Sequence, residues 1–93
     1  MTYLDEIARR IARLVPAELV PQDSRDLFRL YALLARSKGP AVTAEDVHDA
    51  WVAWMEARGE AHPSMVPFEE LSPAIKREDE PFVEAIRRVS SEM

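Results

Sequence analysis

Apolar residues recur every three or four positions in three blocks of this chain, and then the rhythm breaks. Leu4, Ile7, Ala8, Ile11 and Leu14 make the first stripe and predict a helix from Tyr3 to about Leu14. Leu27, Phe28, Leu30, Tyr31, Leu33 and Leu34 predict a second, opening at Asp23 or Ser24 and running through Arg36. They cover more than half of that helix's circumference, the pattern of a helix central to its bundle or half exposed to a partner. Val47, Ala50, Trp51, Trp54 and Met55 predict a third, from about Ala44 to Arg58. No alternating β-branched run occurs, so no strand is expected.

Local chemistry marks where these helices begin and end. Thr43 reads as the N-cap of the third, Asp46 as its capping-box acid, and Val42 with Val47 as a hydrophobic staple. Thr2 and Asp5 repeat the box at the first helix. Asp5–Arg9 and Glu6–Arg10 are spaced for i, i+4 pairing there. Gly39-Pro40 stops the second helix and Gly59 the third.

The connectors are rich in proline. Val15 to Pro21 has room for one helical turn, with Leu19 and Val20 tucked beneath the domain. After Gly59 the stripe is lost, yet Met65, Val66, Phe68 and Leu71 need burial, so the segment is expected to be ordered. A turn should start with Pro67, and Ser72-Pro73 should cap a short helix to about Glu78. Asp79-Glu80-Pro81 restarts it, with Phe82, Val83, Ile86 and Val89 inward. The predicted fold is all-α, a small bundle of three main helices plus a C-terminal helical segment. It forms one domain over residues 1–93, with helices 1 and 2 in 1–40 and the rest in 41–93.

Composition narrows the partners. The net charge is −5 and the pI about 5.0. Residues 1–40 carry seven basic and five acidic side chains, and residues 41–93 five and twelve. A duplex-binding face is normally basic, so nucleic acid is not expected as a partner. There is no membrane-length apolar run, and acids stand where a signal peptide would be basic; a cytoplasmic protein is expected. Without cysteine there is no disulfide framework and no thiolate metal site.

Candidate chemistry is sparse. His48 lies at the edge of the Trp51–Met55 face and reads as a packed or capped side chain. His62, before Pro63, reads as a hydrogen-bonding brace for the bend. Too few nitrogen or sulfur ligands are present for a zinc site. The acidic pairs and triplets Glu69-Glu70 and Glu78-Asp79-Glu80 read as helix-start acids. No catalytic grouping assembles, so neither enzyme activity nor a cofactor is expected. Trp51 and Trp54 read first as core.

From His48 onward the chain resembles the repeat domain of the ryanodine receptors. The resemblance rests on His48-Asp49-Ala50-Trp51, on His62-Pro63-Ser64-Met65-Val66-Pro67-Phe68-Glu69-Glu70-Leu71, and on Lys76, Asp79 and Phe82. It covers about half of the protein. Val52 to Ala61 replaces the family's glycine- and aromatic-containing loop, so no role placed in that loop carries over. The whole chain also resembles small proteins of actinobacteria and their phages, which implies a setting and no activity.

The sequence thus points first to a non-catalytic protein-interaction module that pairs with itself as a homodimer. Its surface would be an apolar strip of helix 2 drawn from Phe28, Tyr31 and Leu33, unless the C-terminal segment covers it. The alternative is a small-ligand or nucleotide site on His48, Trp51, Trp54 and His62.

Overall fold

Ile11, Leu27, Val47 and Ile86 come from four different helices, belong to one buried cluster, and are each at most 1% exposed. The computed structural model describes residues 1–93 and is all-helical, without a strand. Its elements are α1 (Tyr3–Leu14), α2 (Arg25–Ser37), α3 (Ala44–Ala57), α4 (Pro73–Arg77) and α5 (Glu80–Ser91). Short 3₁₀ turns occupy Ala17–Leu19, Gly39–Ala41 and Phe68–Glu70. No helix is long and apolar enough to cross a membrane.

The three stripes form helices at the expected places because their end signals are local. The Asp5 carboxylate accepts the Thr2 N–H at 3.1 Å. At α3 the box is complete: Thr43 Oγ1 accepts from the Asp46 N–H at 3.3 Å, and Asp46 accepts from the Thr43 N–H at 2.9 Å. Lys38 Nζ donates to the same carboxylate at 2.9 Å, fastening the end of α2 to the start of α3. Gly39 has φ +58°, and a Cβ there would stand 3.1 Å from Ser90 Oγ on α5. Backbone conformation and close approach both favour glycine at that corner.

Packing redirects the charges predicted to pair along α1. Asp5 faces α2, with Arg29 at 3.4 Å and Arg25 at 3.6 Å, while Arg10 reaches Glu92 at 3.0 Å. A solvated i, i+4 pair contributes only a few tenths of a kcal/mol, so tertiary partners readily displace it. The Thr2 hydrogen bond, opposed by burial and aided by Arg29 and Arg25, holds the Asp5 carboxyl below its usual range.

The C-terminal segment folds as α4 and a long α5, and α5 contributes Val83, Ala85, Ile86 and Val89 to the core. It also covers α2. The Phe82 ring lies 5.7 Å from Tyr31 and 6.4 Å from Phe28, centroid to centroid. Phe28 and Tyr31 are therefore interior and do not line the surface strip expected of them; Leu33 alone of that trio is exposed, at 48%. Leu19 is likewise exposed, while Val15 takes the buried place at the end of α1. Pro67 precedes its 3₁₀ turn, and Ser72 caps α4 through the Ile75 N–H at 3.3 Å.

A candidate ligand cleft between helices α2, α3 and α5

One turn of α3 separates the two tryptophans into different surroundings. Trp54 is 5% exposed and takes the Arg58 guanidinium over its ring at 4.2 Å. Trp51 is only half-buried, with one side on the core and another open to a cleft of about 580 Å³. The expectation that both indoles are core holds for Trp54 and fails for Trp51. Residues three apart on a helix differ by about 60° in direction, enough to fall on either side of a covered sector. Trp54 therefore does not join the other ligand candidates.

His48, Trp51 and His62 do come together. The Trp51 ring lies 5.8 Å from His48 and 5.4 Å, edge-on, from His62. His48 is buried, and its Nε2 donates to the Val66 carbonyl at 2.7 Å, binding α3 to the proline-rich connector. A carbonyl can only accept, so Nε2 carries the proton. His62 Nδ1 accepts from the Ser64 N–H at 3.0 Å, the brace expected of it.

The opposite wall is made by residues that local reasoning did not bring to one place. Tyr31 and Leu27 arrive from α2, Phe82 from α5, and Asp79 from the corner where α4 turns into α5. Asp79 occupies the N-cap position of α5 yet makes no side-chain bond to the helix. The capping role expected for the 78–80 acids is thus not filled at Asp79, whose side chain is partly buried in the cleft instead. Burial pushes its carboxyl up to about 6; His48 pulls it back, and Glu78 and Glu80 add to the rise. Burial, then the Asp79 charge, also pushes the Tyr31 hydroxyl well above its usual range.

The cleft thus combines aromatic faces with a phenol, a carboxyl and an imidazole. That mixture is typical of a small-molecule site, in which apolar walls bury the ligand and a few polar groups orient it. A larger depression of about 770 Å³ beside Ala12 to Gln22 is shallow connector surface with Arg13 as its ionisable side chain. It lacks such convergence. No group of three or more His, Asp or Glu side chains converges as a metal site would require.

Fold and cleft together define a small all-helical domain with an aromatic, acid-lined recess between α2, α3 and α5. Over residues 2–91 the chain matches the family model described as a domain of unknown function, DUF7701, and it belongs to that family. No curated protein and no solved structure matches it. The match overturns the resemblance to the ryanodine-receptor repeat, for which no family match is found. That resemblance rested on short motifs in half of the chain. The family match spans both halves, and the buried core draws residues from α1, α2, α3 and α5.

Proposed function

We propose that the protein is a small-ligand-binding domain whose site is the cleft between Tyr31, His48, Trp51, Asp79 and Phe82. The observation that carries the reading is the Tyr31–Asp79 pair. Both groups line the cleft, a phenol from α2 and a carboxyl from the α4–α5 corner that makes no bond to its own helix. Polar groups set into an apolar wall orient a ligand that can hydrogen-bond them. The reading is of a binding site and not a catalytic one. Each imidazole beside the cleft has one nitrogen committed to holding the backbone in place.

A thermal-shift screen of aromatic fragments, neutral, anionic and cationic, tests it. A ligand should raise the melting temperature by mass action and perturb the fluorescence of Trp51, with Trp51→Phe identifying which indole responds. A screen in which no fragment does either removes the reading.

Self-association is the second reading, and Leu33 favours it. Leu33 shares a shallow depression of about 580 Å³ with Leu4, Leu30 and Trp54, and Asp23, Asp26, Arg29 and Arg58 line the same surface. A two-fold axis through such a patch sets acids against bases and apolar residues against their own copies. Sedimentation equilibrium decides it: a dimer that Leu33→Glu splits supports the reading, and a monomer at hundreds of micromolar ends it.

A further inference from the structure

The charges around the cleft narrow what can bind there. Glu78 and Asp79 bring two carboxylates to one corner, with the exposed Arg77 beside them, so the corner is net acidic. Facing that corner are the rings of Tyr31 and Phe82, 5.7 Å apart, and across the cleft the Trp51 ring. Aromatic faces carry negative quadrupole density and attract cations, most strongly where water is partly excluded. An anionic ligand would meet two carboxylates against the single guanidinium of Arg77. A neutral one would strip water from Asp79 without replacing it.

Tyr31 adds a phenol to the same wall. Its side chain is 2% exposed and lines the cleft.

We propose that the ligand is an organic ammonium cation carrying an apolar or aromatic body. The charged nitrogen sits beside Asp79 and against the faces of Tyr31 and Phe82, and the body packs on Trp51. This inference rests on the reading of the cleft as a ligand site and adds the sign of the ligand's charge.

Phenyltrimethylammonium is the probe, with N,N-dimethylaniline as its neutral analogue and benzoate as the anion. Each is titrated at mildly alkaline pH, where Asp79 is ionised, and followed by the indole N–H resonance of Trp51. The cation should bind at least about tenfold more tightly than the neutral analogue, and Asp79→Asn should erase that preference. The selectivity of the unaltered protein stands as a separate measurement should Asp79→Asn fail to fold. If dimethylaniline binds as tightly as the cation, or benzoate binds best, the charge assignment is overturned and the cleft remains a ligand site. If none of the three moves the Trp51 resonance at millimolar concentration, the cation proposal and the ligand reading fall together.

Discussion

Arg87 on α5 donates from Nε and Nη2 to the single carbonyl of Val42, at 3.0 and 2.7 Å. Val42 lies immediately before the α3 cap and is fully buried, so this fork holds α5 against the start of α3. Bonds from a charged donor contribute more than neutral ones, about 1.5–3 kcal/mol net. Arg87→Ala should lower unfolding stability by about that amount. Arg87→Lys should recover less than half of it, because an ammonium cannot offer the planar fork. Chemical denaturation of both variants measures this. A lysine variant as stable as the parent would show that charge alone, and not the fork, makes the contact.

The α3 cap gives a second expectation. Thr43→Ala removes an acceptor from the Asp46 N–H and should cost about 1 kcal/mol without altering the fold. Asp46 loses more when altered, since it accepts from Thr43 and from Lys38 together. Asp46→Ala should therefore destabilise more than Thr43→Ala in the same denaturation series. Equal losses would leave the Lys38 contact without energetic weight.

The tryptophans should part company on truncation. Trp54→Ala empties a buried site and should cost roughly 3–5 kcal/mol, enough to unfold a domain of this size. Trp51→Ala should cost less, because its ring is half-buried and one side already faces the cleft. Melting curves compare the two directly. A Trp51→Ala protein that is unfolded while Trp54→Ala remains folded would reverse the assignment of which indole is core.

These cases mark what the sequence could disclose. Helix ends were legible because a cap, a box or a glycine acts within three or four residues. Thr43, Asp46, Ser72 and Gly59 all behave as such local signals. A stripe also tells which residues share a helix face, and from that follow the all-α class and most of the core. It does not tell which neighbouring helix covers that face. Phe28 and Leu33 could not be separated until α5 was seen to lie over one and not the other. The same limit hid half of the cleft. His48, Trp51 and His62 were recognisable as a group, but Tyr31 and Asp79 are 48 positions apart in sequence and meet only through the packing of α5. Asp79 also fitted a local rule, the helix-start acid, and the corner between α4 and α5 overrode it.

Asp79 finally makes stability depend on pH in an unusual direction. Its carboxyl titrates near 6 in the folded protein against 3.8 for the ordinary side chain. Between those values the folded chain holds a proton that the unfolded chain has released. Stability from this group therefore falls as pH rises from about 4 to about 6, and the loss is complete above that window. Asp5 and Asp46 act oppositely. The Thr2 bond, with Arg29 and Arg25 against opposing burial, lowers Asp5; Lys38 and Thr43 overcome burial to lower Asp46. Their stabilisation is present above 3.8 and lost as pH falls through their lowered values, so the two effects occupy separate windows. Asp79→Asn isolates the first, because His48, Glu78 and Glu80 are common to both proteins. The variant should match the parent near pH 4 and be more stable at neutral pH, by about 1 kcal/mol once partial exposure of the carboxyl is allowed for. Urea unfolding across that range measures the difference, and a gap that does not change with pH would mean that Asp79 is as well solvated folded as unfolded.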